Sequence, residues 1–232
     1  MRNETQAFAS LDQLSSAVQN CEKCPRLRAY CRAVAREKRR AFRAQVYWGK
    51  PVPGFGDPAG RLLIVGLAPA AHGGNRTGRM FTGDRSGDFL YAALHRAGFA
   101  NQPVSTGRDD GLTLTDAYIT AAARCAPPDN KPTRQELDNC RDYLQQELAL
   151  LKNAHVIVAL GQIAFEATIA ALTDRGVVIP QPRPAFGHNL AYRLQAYLLI
   201  ASYHPSQRNT STGLLTAAMF DRVLERARQA LR

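Results

Sequence analysis

Two polar runs hold most of the chemistry-bearing side chains of this 232-residue chain. The first, GLAPAAHGGNRTGRMFTGDRSGDFL from Gly66 to Leu90, sets Asn75, Arg76, Arg79, Asp84 and Arg85 among Gly73, Gly74, Gly78, Gly83 and Gly87. The second is His204-Pro-Ser-Gln-Arg-Asn-Thr210. Glycine lets a backbone come close to a phosphate or a base, and a guanidinium forks onto phosphate oxygens. Each run leaves an apolar segment, Leu62–Val65 in one case and Leu198–Tyr203 in the other. Polar loops at the C-terminal ends of buried strands are where open α/β sheets place ligands. Two such loops in one sheet point to one shared site.

The cysteines form a second constellation. Cys21-Glu-Lys-Cys24-Pro25 is a CxxC pair, Cys125 follows an apolar run, Cys140 lies further on, and Cys31 is left over. A lone CxxC serves redox dithiols, zinc sites and clusters alike. Zinc usually takes a second tight CxxC pair. The wider spacing here, with proline after the second cysteine, leans toward a 4Fe–4S cluster on four thiolates. Zinc and unrelated thiols remain open readings. A cluster would pin the N-terminal arm to the sheet.

Four apolar runs must position these groups: Leu62–Ala68, Ala117–Ala121, Val156–Leu160 and Leu198–Tyr203. Between them the spacing is helical, at Phe89, Leu90, Ala93, Leu94 and Ala97, then at Leu137, Leu144, Leu148 and Leu151. The alternation predicts an α/β fold, a central four-stranded parallel sheet with helices on both faces. Leu214–Leu231 closes the chain as an amphipathic helix with Leu215, Met219, Val223 and Leu224 inward. The expected organisation is a single domain over 1–232. Residues 1–60 form a basic helical segment, helical over 1–45, and a Pro/Gly-rich connector; residues 61–232 form the core.

Thirty Lys and Arg against nineteen Asp and Glu give a formal charge of +11. Eight basic residues fall between Arg26 and Arg43, with Glu37 the one acid. A solvated helix face or an arginine-rich host proteome explains part of this. A polyanion partner explains it more sharply, because counterion release rewards an arginine-lined face. The N-terminus MRNETQAFASLDQL has no apolar targeting core, and the apolar runs are of strand length. The expectation is a cytoplasmic, nucleoid-associated protein with no membrane partner. Disulfides are not expected in that compartment.

The two loop motifs and the layout of Cys21, Cys24, Cys125 and Cys140 together resemble family 5, the type-5 or B group, of the uracil-DNA glycosylase superfamily. The resemblance runs from the cysteine pair to the last helix. It implies a monofunctional glycosylase that flips uracil and related damaged bases out of DNA and hydrolyses the N-glycosidic bond. It implies a 4Fe–4S cluster on those four cysteines, leaving Cys31 as the non-ligand. The partner would be double- or single-stranded DNA containing such bases, bound by a monomer.

A glycosylase must extrude the nucleotide, hold its base and stabilise the leaving anion. His204 is the candidate donor to that anion, against the alternative of a hydrogen-bonded core histidine. The resemblance places Gly66, Ala68 and Phe81 around the base, with Phe81 stacking on it. It places Arg76, Ser206, Gln207, Arg208 and Asn209 on the DNA, the last four in the loop that enters the duplex. Many superfamily members carry an acid or amide just after the first motif's opening glycine to handle water. Leu67 and Ala68 leave that role empty here, so Asn75, Asp84 and Asn130 become the candidates. Asp84 is equally readable as a structural carboxylate, and Asn130 as part of a proline turn.

No lysine sits in either loop, which argues against lyase chemistry. A phosphate-cradling nucleotide hydrolase is disfavoured because no GK[ST] follows the glycines. A non-catalytic iron–sulfur nucleic-acid-binding protein explains cysteines and charge but not two converging polar loops.

Overall fold

A computed structural model describes residues 7–232. Its centre is four parallel strands: β2 (Leu62–Gly66), β3 (Ala117–Ala121), β4 (Val156–Leu160) and β6 (Tyr197–Ser202). Every residue of β2, β3 and β4 is buried, as expected of strands covered on both faces. Alternation sorts their side chains. Leu62 and Ile64 enter one core with Leu90, Leu94, Phe220 and Val223, while Leu63 and Val65 enter another with Leu144, Leu148, Phe165 and Ile169. The first core lies under α4 (Arg85–Arg96) and α8 (Ala217–Ala230), the second under α5 (Arg134–Leu150) and α6 (Gln162–Asp174).

The sheet has six strands, not the expected four. β1 (Phe55–Gly56) pairs antiparallel with β3, and β5 (Ala191–Leu194) pairs antiparallel with β6, giving the order β1-β3-β2-β4-β6-β5. β1 lies inside the connector read as irregular. It has only two residues, and Gly56 is there because an added Cβ would fall 2.4 Å from Ala117 O. β5 turns back through Gln195, at φ 54°, rather than through a glycine or asparagine turn that would have announced a hairpin.

The helix starts follow local chemistry. Asp84, Thr133 and Thr216 cap α4, α5 and α8, accepting from Gly87 N, Glu136 N and Met219 N, and Glu136 completes a capping box. The last helix therefore begins after Leu214, which is exposed. The basic N-terminal segment is two helices, α1 (Leu11–Gln19) and α2 (Pro25–Glu37), broken at the cysteine pair, followed by a short 3-10 turn, Arg40–Phe42. The helical reading of residues 1–45 also took in residues 1–6, which lie outside the described residues. No helix among the described residues is long and apolar enough to cross a membrane.

Candidate active site at the C-terminal ends of the strands

Strand order reverses at β2: the chain passes from β2 to β3 on one side and then to β4 on the other. Ligands bind outside the carboxyl ends of strands at such a reversal. Here the loops after β2, β3 and β6 enclose a cleft of about 1180 Å³. That is above the roughly 300–1,000 Å³ usual for a small-molecule pocket, and it leaves space for a base with its attached backbone. The short helix α3 (Gly74–Thr77) lies in the first of these loops.

Phe81 and His204 meet in the cleft with ring centroids 5.8 Å apart and planes tilted by 30°. Phe81 has φ 53°, a left-handed backbone that costs a bulky residue about 1–3 kcal/mol. Two glycines make room for it. A Cβ on Gly66 would sit 2.7 Å from the Phe81 ring, and one on Gly87 would sit 1.8 Å from Phe81 O.

His204 stands two residues past the end of β6, and its ring makes no hydrogen bond to any described residue of the protein. Burial lowers its pKa to about 4, so the imidazole is neutral at physiological pH and keeps one N–H to donate. Its backbone is held on both sides. Asn209 Nδ2 donates to His204 O at 2.9 Å, and the preceding Tyr203 stacks on His188 at 5.0 Å with its N–H on His188 Nδ1. Gly161, at the end of β4, is close enough that a Cβ would lie 3.3 Å from His204 Cβ.

Asp84 lines the cleft and caps α4 at the same time, Oδ1 accepting from Gly87 N at 3.0 Å. A Cβ on Gly73 would fall 1.9 Å from Oδ2. Burial pushes the Asp84 carboxyl above its ordinary range, opposed by the N–H groups of Gly87 and Ser86 and by the charge of Arg76. Asn130 also lines the cleft and is exposed, in a turn where Asp129 and Asn130 are both left-handed. Ala68, Ser206, Gln207 and Arg208 also line the cleft. Ser206 caps the short helix α7 (Gln207–Ser211).

Four of the expected residues are not on the cleft wall, and Gly66, packed against the Phe81 ring, is one of them. Asn75 is fully buried and donates to Cys31 O and Ala71 O. Arg76 is 7% exposed and spends its guanidinium on His72 O, Gln45 Oε1 and Gly83 O, stacked over Phe42. Asn209 holds His204 rather than facing outward. Asn75 and Arg76 thus spend donors on acceptors inside the fold, and Asn209 spends its own on the backbone of His204.

The cleft contains residues the sequence reading missed: Tyr30, Arg39, Phe42 and His72. His72 lies within the first motif, so a histidine inside a candidate loop was the available signal. Tyr47 Oη accepts from Arg39 N at 3.4 Å and lies 3.0 Å from His72 Nδ1. With the hydroxyl proton given to Nδ1, the imidazole proton resides on Nε2. Burial, then the charges of Arg39 and Arg76, lower the His72 pKa.

The four cysteines come from separate elements. Cys21 lies between α1 and α2, Cys24 caps α2, Cys125 follows β3 and Cys140 is on α5. All are free thiols, and all but Cys21 are buried. Asn139 Nδ2 donates to Cys24 Sγ at 3.4 Å. Among the described residues, no three His, Cys, Asp or Glu groups are gathered to hold a metal ion as they stand. Beside Cys140 is an unusual group. Arg124 is 1% exposed and pairs with Glu147 through Nη2, yet its Nε and Nη1 have no acceptor. A buried unpaired donor costs about 1–3 kcal/mol or more.

The sequence model of the uracil DNA glycosylase superfamily matches residues 53–228, which include β1 through α8 and every wall of the cleft except Tyr30, Arg39 and Phe42. The chain belongs to this superfamily, in its type-5 group. It is 51% identical over 210 residues to the type-5 uracil-DNA glycosylase of Thermus thermophilus, covering 90% of this chain and 93% of that protein. It is 49% identical over 222 residues to the type-5 enzyme of Mycobacterium tuberculosis, covering 95% and 81%. The type-4 uracil-DNA glycosylase of Pyrobaculum aerophilum is 30% identical over 197 residues, covering 84% and 83%. In this family setting, the uracil-DNA glycosylase cleft keeps Phe81, Asp84, Asn130 and His204 together, and sends Asn75 and Arg76 into the scaffold.

Proposed function

We propose that this protein is a monofunctional DNA glycosylase that removes uracil from DNA and leaves an abasic site. Membership of the type-5 group supports the substrate class. The observation that carries the chemistry is the neutral His204 in contact with the Phe81 ring at the floor of a nucleotide-sized cleft. At 5.8 Å the two rings are already in contact, so a flat base stacks on the free face of Phe81 with its edge toward His204.

As the N-glycosidic bond breaks, negative charge develops on the leaving uracil. A preorganised donor in a water-poor site stabilises that charge far more than water does. A neutral imidazole meets the need without first losing a proton. Leu67 and Ala68 supply no polar group, so Asp84 and Asn130 are the groups left to orient water and to face the positive sugar. Ser206, Gln207 and Arg208 face the duplex. Lesions related to uracil, namely hypoxanthine, ethenocytosine and hydroxymethyluracil, fall within the same proposal, as do action as a monomer and a single domain over the chain.

The residues present also fit a 4Fe–4S cluster, held by Cys21, Cys24, Cys125 and Cys140. The donor set is all sulfur and has no disulfide. A cluster core spaces its thiolates more widely than one ion does, and the spare N–H groups of Arg124 suit an anionic group at that place. When bound, the cluster supplies four iron–thiolate bonds that tie α1 and α2 to the sheet and α5. Iron and sulfide assays on anaerobically prepared protein test this. Four iron per chain is expected, and one zinc per chain would overturn it.

The activity is tested on an end-labelled duplex carrying one deoxyuridine opposite guanine. Strand breaks only after alkali are expected. Breaks without alkali would mean lyase chemistry, and no release of any of these bases would leave a DNA-binding iron–sulfur protein.

A further inference from the structure

Behind Phe81, out of contact with the cleft, lies a buried polar network that the reaction does not explain. Arg79 is 4% exposed. Its Nε donates to Thr82 Oγ1 at 3.0 Å, its Nη2 to Ser105 Oγ at 2.8 Å and Asp110 Oδ2 at 2.6 Å, and its Nη1 to Arg108 O at 3.3 Å. The ring of Phe55 lies under the guanidinium at 4.9 Å. Asp110 in turn accepts from the backbone N–H groups of Thr106, Gly107 and Leu112. Burial alone would raise this carboxyl, but Arg79 and the three N–H groups outweigh it and hold it well below its ordinary range.

The network converges on the two neighbours of Phe81. Thr82 Oγ1 lies 2.7 Å from Ser105 Oγ and 3.1 Å from Met80 O, and Tyr91 Oη donates to Met80 O at 2.9 Å. With Ser105 donating to Thr82 and Thr82 donating to Met80 O, every hydroxyl proton is used. Gly83 N donates to Ser105 O at 2.9 Å. The peptide before a left-handed phenylalanine, through Met80 O, and the side chain of the residue after it, Thr82, are thus tied to a fixed charge pair. Arg79, Thr82, Ser105 and Asp110 are all absent from the cleft wall.

We propose that the Arg79–Asp110 pair, acting through Ser105 and Thr82, is the positioning element that holds Phe81 in its left-handed conformation under the flipped base. The inference rests on the stacking role proposed for Phe81. A side chain with φ 53° relaxes to a commoner backbone once its flanking peptides are freed, and that swings the ring away. An ion pair that merely closed the 105–112 loop would have no such link to Phe81.

The test is a double-mutant cycle on the full-length protein, reading single-turnover uracil release, affinity for the abasic product duplex, and thermal midpoint. Asp110→Asn keeps size and loses the charge. It should slow release by about 10- to 100-fold, as sub-ångström to ångström misplacement does, with product affinity held within about two-fold. In the Phe81→Ala background the same substitution should cost nothing further, because coupled residues are non-additive.

If Asp110→Asn instead multiplies the Phe81→Ala loss by its full factor, the positioning role is overturned while stacking stands. If Phe81→Ala leaves release unchanged, the stacking role falls first and the inference with it. Should Asp110→Asn fail to fold, Ser105→Ala cuts the chain between the ion pair and Thr82 and is run through the same cycle with the same criteria.

Discussion

At the scale of single residues, environment rather than residue type decides what each side chain can do. His204 and His72 both line the cleft, but the His204 ring has no hydrogen-bond partner among the described residues while His72 leans on Tyr47. His204→Ala should slow base release by about 100- to 1,000-fold, the usual loss for an oxyanion donor, with product-duplex affinity within a few-fold. Equal loss of rate and affinity would make the histidine a scaffold residue. Its pKa near 4 against about 6.5 in the unfolded chain fixes two pH effects. The folded state binds fewer protons between those values, so stability is unaffected above about pH 6.5 and falls as pH drops toward 4. Protonation at that lower limit adds a second N–H, so acidification should not remove the His204 donor from base release. Asp84 is shifted the other way: burial raises its carboxyl, so it gains a proton at a higher pH than an ordinary aspartate does. Asp84→Asn retains an N-cap of equal quality, so it should leave the thermal midpoint nearly unchanged and remove the acid limb of the rate profile. Asp84→Ala should add a loss of about 1 kcal/mol from the cap. A rate profile identical in wild type and Asp84→Asn would restrict Asp84 to helix capping.

At the scale of elements, strand ends and glycines set the geometry of the cleft. Gly66 ends β2 and touches the Phe81 ring. Gly66→Ala should destabilise by about 1–3 kcal/mol as an overpacked core position and slow release far more than it weakens DNA binding, because the ring gives way before the strand does. A variant with wild-type release would show that the ring can shift without consequence. This level also separates what the sequence could disclose from what it could not. The four parallel strands were readable because β2 and β4 are apolar throughout and β3 departs only at Thr120, and the polar loops were readable because they follow strand ends closely. β1 and β5 were not, since one is two residues long and the other turns without a glycine. Residue type and motif were enough to expect Phe81, Asp84, Asn130 and His204 near one another, and all four line the cleft. Asn75, Arg76 and Asn209 were misplaced because an amide or guanidinium in a tight loop is often consumed by carbonyls several residues away, which only the folded backbone reveals. His72, Tyr30, Arg39 and Phe42 were overlooked because three of them come from the N-terminal segment, whose path across the cleft no local pattern records.

At the scale of the whole molecule, the charge of +11 divides into two populations. Arg28, Arg76, Arg79 and Arg124 are buried, and each satisfies protein acceptors. Arg26, Arg61 and Arg96 are paired with Glu136, Asp116 and Asp221. The arginine excess is therefore in part a scaffold that knits loops together, and only the remainder is available to a polyanion. Arg39, Arg85 and Arg208 stand at the cleft wall. Arg39 and Arg208 reach it from the N-terminal segment and from α7, on elements far apart in sequence. A cation that neutralises a phosphate releases counterions, so the logarithm of affinity falls with the logarithm of salt by about 0.9 per contact. Arg39→Ala and Arg208→Ala should each weaken binding to any duplex and reduce that slope by about one. Arg76→Ala should instead lower the thermal midpoint and leave the slope alone, since its guanidinium is spent on His72, Gln45 and Gly83. Anisotropy titrations across a salt series distinguish the two populations. An unchanged slope in Arg39→Ala and Arg208→Ala would remove both from the DNA surface, and a reduced slope in Arg76→Ala would mean that this loop reopens to bring its arginine onto the backbone.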